Sequence, residues 1–187
     1  MSTEVIKKRF TVDEYYRMAE AGILRPEDRL ELIDGEIIQM SPIGLRHMGR
    51  VNRANTLLIR AFGEKAVVSP QNPVQLSDWT EPQPDIVVFK PRSDFYESKK
   101  PTPSDVFLVM EISDTSLGYD LKIKLPYFAA ALIPEVWIQD INGDILHVFR
   151  DPEGNRYVTS TQLKAGDFVC PLAFPEIRFS INDIFGV

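Results

Sequence analysis

Gln83-Pro84-Asp85-Ile86-Val87-Val88-Phe89 and Val106-Phe107-Leu108-Val109-Met110-Glu111-Ile112-Ser113 are the stretches whose reading decides the fold. Each holds an unbroken apolar run, Ile86 to Phe89 and Val106 to Met110, of the length and composition of a buried strand. Each run carries a carboxylate at one end: Asp85 opens the first and Glu111 closes the second. A carboxylate beside a core strand is costly to desolvate unless compensated, and a divalent cation is the usual compensation. Asp85 and Glu111 are therefore the candidate metal pair, provided the two strands are neighbours, and Lys124 on a later helical stretch is the candidate cation. The simpler alternative makes Asp85 a turn residue after Pro84 and Glu111 a helix cap or a lysine partner, because structural ion pairs mimic functional ones.

Working outward, Thr11-Val12-Asp13-Glu14 has the spacing of a capping box and predicts a helix from Val12 to about Ala21. Arg29 to Ile33, Asp34-Gly35 and Glu36 to Met40 read as a hairpin, since Asp-Gly supplies the positive φ of a two-residue turn. Met48, Val51, Ala54, Leu58 and Phe62 recur at three- and four-residue steps and define the apolar face of a helix over Leu45 to Phe62. Arg46, Arg50, Arg53 and Arg60 fall on the opposite face, where a solvated stripe is the plainer reading and phosphate contact the sharper one. Short extended segments are expected at Ala66 to Ser69 and Val74 to Ser77, and Lys90 to Pro103 reads as a surface loop. A kinked helix around Pro126 covers roughly Tyr119 to Leu132. A meander follows, with strands at Glu135 to Asp140, Asp144 to Arg150 and Arg156 to Thr161 and turns at Asn142-Gly143 and Asp151 to Gly154; Ile177 to Ile181 and a last turn near Asn182 to Phe185 close the chain.

The chain has 187 residues, 44% of them hydrophobic, which is enough for one core, so a single domain over residues 1–187 is expected. A net charge of -6 argues against wrapping nucleic acid with the whole surface, yet leaves room for an acidic, metal-recruiting pocket beside a local basic stripe. Cys170 is the one cysteine, so no intrachain disulfide framework exists and a reducing cytoplasm is the simplest compartment. Met1 to Arg9 lacks the apolar core of a signal peptide, and no apolar run approaches the roughly 18 residues of a membrane span.

Two histidines and one cysteine are too few for a zinc site. No G-x-S-x-G elbow and no G-x-x-x-x-G-K-[ST] phosphate loop is present. His147 lies in an alternating pattern and reads as a half-exposed strand residue, whereas His47 sits on the flank of the helix's apolar face, where it lines a pocket or is simply structural. Asp120 and Lys124, four apart, suit either an intrahelical ion pair or a lysine aimed at a scissile phosphate.

Pro84-Asp85, Glu111-Ile112-Ser113 and Asp120-Leu121-Lys122-Ile123-Lys124 resemble the PD-(D/E)XK nuclease pattern. More narrowly, Glu31-Leu32-Ile33-Asp34-Gly35-Glu36, Gln83-Pro84-Asp85-Ile86-Val87, Glu111-Ile112-Ser113 and Tyr127-Phe128-Ala129 through Ile133-Pro134-Glu135-Val136-Trp137 resemble the Uma-two family of restriction-endonuclease-like proteins, from about Phe10 to beyond Arg150. The resemblance implies an α/β fold, a restriction-endonuclease-like mixed central β-sheet flanked by α-helices. It implies Mg²⁺ or Mn²⁺ held by Asp85, Glu111 and the Ile112 backbone carbonyl. The superfamily lysine two residues after the acid is replaced by Ser113, and Lys124 matches the position to which such families relocate it. Glu31 matches a family acid that completes the pocket, with Glu36 the less favoured neighbour, and His47 matches a family histidine. The expected function is a metal-dependent endonuclease hydrolysing phosphodiester bonds in DNA, as a homodimer if it cuts both strands. The alternative is a catalytically inactive nuclease-like fold acting as a nucleic-acid-binding or protein-interaction module.

Overall fold

Thr11 opens the first element as its spacing to Glu14 predicts. Glu14 N donates to Thr11 Oγ1 (3.1 Å) and Thr11 N donates to the Glu14 carboxylate (2.9 Å), which starts α1 at Val12–Glu20. The computed structural model describes residues 7–187, so the first six residues of the expectation drawn from Met1 to Arg9 lie outside it.

Next comes the hairpin of β1 (Leu30–Ile33) and β2 (Glu36–Gln39), with Ile33 opposite Glu36. Asp34 (φ 53°) and Gly35 (φ 75°) are both left-handed, as the tight hairpin turn requires. Gly35 has a second reason to be glycine, since a Cβ there would stand 2.7 Å from Arg9 Cβ. Leu32 also exchanges backbone hydrogen bonds with Glu81, which ties the hairpin to the segment leading into Asp85.

Helix α2 (Leu45–Phe62) buries Val51, Ala54, Leu58 and Phe62, as its periodicity predicts. Met48 departs from that expectation and is exposed, because the first turn of α2 stands beside Gly44 and His47 at the mouth of a cavity rather than over the sheet. The arginine face is also less solvated than a bare charge stripe. Arg46 donates to Asn142 Oδ1 (2.7 Å) and to the Ile141 carbonyl (2.9 Å), and the Arg50 guanidinium lies 5.6 Å from the Phe185 ring centre.

Strand β3 (Val67–Pro70) pairs antiparallel with β4 (Ile86–Phe89), which pairs antiparallel with β5 (Val106–Ser113). Val74 to Ser77 is not a ladder strand, contrary to expectation. It folds back on the residues after it, with Val74 N donating to Pro82 O and Leu76 N to Thr80 O. The crossover after β5 consists of α3 (Leu117–Tyr119), a π-helical turn (Asp120–Lys124) and α4 (Leu125–Ala130), and it returns to β6 (Glu135–Asp140), parallel to β5. Strand β7 (Ile145–Glu153) runs through part of the expected Asp151 to Gly154 turn, because the hairpin to β8 (Arg156–Leu163) closes later, with Glu153 opposite Arg156. The chain ends with β9 (Phe168–Val169), paired with β10 (Phe179–Ser180), and α5 (Ile181–Phe185). Only Phe179 and Ser180 of the predicted Ile177 to Ile181 strand are extended in this ladder.

The central sheet is mixed, six-stranded and ordered β3-β4-β5-β6-β7-β8. One core lies on the face covered by α2 and α5, around Phe62, Met110, Trp137 and Ile184. A second lies on the face covered by α4, around Val87, Val109, Phe128 and Val136. This helix-flanked mixed sheet is the architecture that the resemblance implied. His147, expected half-exposed, is buried and stacks parallel to Phe149. Among the described residues no helix is long and apolar enough to cross a membrane.

Candidate active site

The register of β4 on β5, with Ile86 opposite Met110, carries Asp85 to the level of Glu111 and Ile112. Asp85 N donates to Glu111 Oε2 (3.1 Å), and Ile112 N donates to Asp85 Oδ2 (2.8 Å), so each carboxylate is held by backbone next to the other. Glu111 is not the last residue of its strand, as expected from the apolar run alone. β5 continues to Ser113 along its parallel partner β6, which leaves Glu111 inside the sheet and only 3% exposed. In a strand the N–H and C=O of one residue point to the same side. The Ile112 carbonyl therefore shares the Asp85 edge, past the point where the β4 ladder ends.

Lys124 arrives through the π-helical turn. Leu125 N donates to Asp120 O, one residue further back than in an α-helix, so one extra residue is wound in just before Pro126. Proline cannot donate and its ring crowds the carbonyl four residues earlier, and a wider turn relieves both constraints. Lys124 Nζ comes to 2.5 Å from Glu111 Oε1 and 3.3 Å from Glu31 Oε2, and its side chain is almost fully buried. The intrahelical Asp120–Lys124 pair is not what forms. Asp120 Oδ2 instead accepts from Ser113 Oγ and Ser116 Oγ, each at 2.7 Å, so Ser113, in the place of the superfamily lysine, serves to hold Asp120.

Glu31 on β1 is buried and accepts from Gln83 N (3.0 Å), joining the hairpin to the residues before Asp85. Glu36 lies on the other strand of the hairpin and pairs with Lys7 (3.2 Å) at the surface, away from this cluster. His47 Nε2 lies 3.1 Å from Asp85 Oδ2, and its Nδ1 is buried without a partner. Lining residues without a site role at the level of sequence include Asp114, Arg29 and Tyr119, whose buried hydroxyl lies beside Glu31. A tyrosine at a helix start and an arginine at a strand start carry no functional signal in sequence.

These groups surround a cavity of about 470 Å³ lined by five carboxylates (Glu31, Asp85, Glu111, Asp114 and Asp120) against Lys124, Arg29 and His47. Burial pushes the Glu111 carboxyl well above its ordinary range; Lys124 opposes the shift, while Asp120 and Asp85 add to it. Asp120 is raised for the same first reason. Burial works to strip the proton from Lys124, but Glu111, Glu31 and Asp120 outweigh it and hold the ammonium charged. His47 is raised chiefly by its hydrogen bond to Asp85.

A divalent cation would relieve this excess of negative charge, and the donors present are hard oxygens of the kind Mg²⁺ and Mn²⁺ take. Glu111 Oε1 meets the Lys124 ammonium and Oε2 accepts from Asp85 N, which leaves each oxygen a second lone pair for a cation. Among the described residues no three His, Cys, Asp or Glu side chains form a ready cage. The interlocked Asp85 and Glu111 carboxylates are a donor set that suits Mg²⁺, which binds through one or two carboxylates and keeps several waters.

The raised groups set the sign of the pH response. Glu111, Asp120 and His47 titrate above 4.5, 3.8 and 6.5 in the folded state, so each contributes stability that is full below those values and lost as pH rises through the folded pKa. Without divalent cation, thermal stability is expected to fall as pH rises above about 6.5, where Glu111 and His47 give up protons held in the folded state; below that, buried His147, whose pKa is lowered by burial, works in the opposite direction. Carboxylates shifted the other way, such as Glu14 and Asp94, are at the surface and screened by solvent. Melting curves in chelator above about pH 6.5 test this, and a midpoint that climbs with pH there would refute it.

A family model described as Uma2, putative restriction endonuclease, matches residues 12–182. In fold the chain is similar to the crystal structure of a putative nuclease belonging to DUF820 from Anabaena variabilis ATCC 29413. The TM-score is 0.75 at 19% identity, over 95% of this chain and 98% of that one. At that identity the likeness is one of architecture. Among curated proteins none matches the chain.

Proposed function

Because the chain belongs to the Uma2 family, described as putative restriction endonucleases, we propose that it is a Mg²⁺- or Mn²⁺-dependent endonuclease hydrolysing phosphodiester bonds in DNA. The observation that carries this reading is the convergence of Asp85, Glu111 and Lys124, from three separate segments, on one cavity. Asp85, Glu111 and the Ile112 carbonyl would hold the cation. When bound, it would polarise the phosphoryl oxygens and activate the attacking water.

The chain's own groups do the remainder. Lys124 keeps its proton at Nζ, so it acts through charge on the phosphoryl oxygens rather than as a base. Glu31 holds that ammonium in place and is itself fixed by Gln83 N. His47 steadies Asp85 through Oδ2. Asp120, clamped by Ser113 and Ser116, adds to the negative field that keeps Lys124 charged.

One observation favours a second reading, a nuclease-like module that binds without cutting. The Lys124 ammonium sits against Glu111 and Glu31 closely enough to act as the pocket's resident cation. Calorimetric titration with Mn²⁺, paired with cleavage of linear and circular DNA in Mg²⁺ or Mn²⁺, separates the two. Saturable binding together with chelator-sensitive cleavage is expected. DNA binding without cation uptake or cleavage would leave the second reading standing.

A further inference from the structure

The cavity at Asp85 continues into a second one of about 390 Å³, and Arg29, Met40, Gln83 and Asp85 line both, so the carboxylate stands at a doorway. The far side of the second cavity carries Tyr15, Tyr16 and Ala19 from α1, with Leu24 and Arg25 from the segment after it. The Tyr15 hydroxyl donates to the Leu30 carbonyl (3.1 Å), and the Tyr16 hydroxyl donates to the buried Glu81 carboxylate. Both polar tips are thus spoken for inside the fold, and Lys100 Nζ covers one face of the Tyr16 ring, 3.5 Å from its centre, so the aromatic surface left to an occupant is chiefly that of Tyr15. Glu81 is also approached by Lys100 (3.4 Å), which offsets its charge and leaves Arg25 and Arg29 as the cavity's positive groups. Arg29 is held in the left-handed backbone region (φ 48°) at the doorway, with its guanidinium tied to the Ser41 carbonyl (2.7 Å). Left-handed non-glycine residues cluster at ligand sites because the surroundings must hold them there.

We propose that this second cavity receives one unpaired nucleotide adjoining the phosphate bound at Asp85, so that single-stranded or locally unpaired DNA is the preferred substrate. The inference rests on the nuclease reading above. A polynucleotide cut at Asp85 extends to both sides of the scissile phosphate, and on this side the next unit meets a half-open cleft walled by α1 rather than a flat face. Its volume is in the range of sites for single small molecules, roughly 300–1,000 Å³. A nucleotide inside a duplex enters such a cleft only by leaving its stack. Aromatic surface for a base beside arginines for the backbone is the chemistry by which proteins take up unpaired strands.

The test compares Mn²⁺-supported cleavage of a single-stranded oligonucleotide, the blunt duplex of the same sequence and that duplex with an unpaired tail. Ala19→Trp provides the control: Ala19 is exposed on α1 and lines the cleft, so a larger ring fills the space without touching the core. The wild-type chain is expected to cleave the single strand and the tailed duplex at least about tenfold faster than the blunt one. Ala19→Trp should bring those rates down to the blunt-duplex level, with melting temperature and Mn²⁺ binding unchanged. Arg25→Glu should weaken binding of the single strand and flatten its salt dependence. Equal cleavage of paired and unpaired substrates, or an Ala19→Trp protein that keeps the preference, overturns the inference and leaves the nuclease reading intact. No cleavage of any of the three substrates overturns both.

Discussion

DNA cleavage by the Asp85→Asn protein is expected to fall by more than about 10³-fold, beyond the loss that follows removal of a single transition-state donor. The substitution is isosteric, and an amide oxygen can still accept from Ile112 N as Asp85 Oδ2 does now. The backbone arrangement at the start of β4 is therefore retained. What is lost is an anionic oxygen beside Glu111, and with it half of the carboxylate pair proposed to hold the cation. Mn²⁺ affinity should drop with the rate, while melting temperature in chelator stays close to that of the parent or rises, since one of the charges that push Glu111 up has gone. Full cleavage by a folded Asp85→Asn protein would remove the metal mechanism altogether.

Lys124→Met divides the two roles that the cavity combines. Lys124 is 4% exposed and stands against Glu111 and Glu31, so its removal strips buried carboxylates of their cation. Breaking such a pair destabilises by about 3–5 kcal/mol in chelator, even with methionine filling the volume. A divalent ion can take over the neutralisation, so melting temperature should rise more steeply with Mn²⁺ than in the parent. Cleavage should nevertheless fall by about 10²–10³-fold, because no ammonium is left to meet the phosphoryl charge. Unimpaired turnover, or loss of Mn²⁺ binding along with the lysine, would show that Lys124 has a different part.

The sequence was most legible where local rules and burial agree. Asp34-Gly35 fixed the hairpin because two left-handed residues in a row admit few other turns. The apolar runs before and after the exposed loop marked β4 and β5, and the carboxylates at their ends proved to be interlocked. Helical periodicity placed Val51, Ala54, Leu58 and Phe62 correctly but put Met48 in the core, since a 3.6-residue repeat carries no sign of where a helix outruns the sheet beneath it. Spacing paired Asp120 with Lys124, whereas long-range partners took both: Glu111 and Glu31 the lysine, Ser113 the aspartate. Nor does any local pattern mark Val74 to Ser77 as a fold-back or His147 as buried, for both depend on what the sheet and its loops bring alongside.

The single surplus residue wound in before Pro126 has a consequence of its own. Each residue of a helix turns the chain by roughly 100°, so any change in the number of residues between Ser116 and Pro126 would swing the ammonium off its bearing while every cavity side chain kept its identity. The centre is therefore vulnerable to length rather than to composition. Insertion or deletion in this short arc is a lesion that a tolerant surface sequence would not reveal.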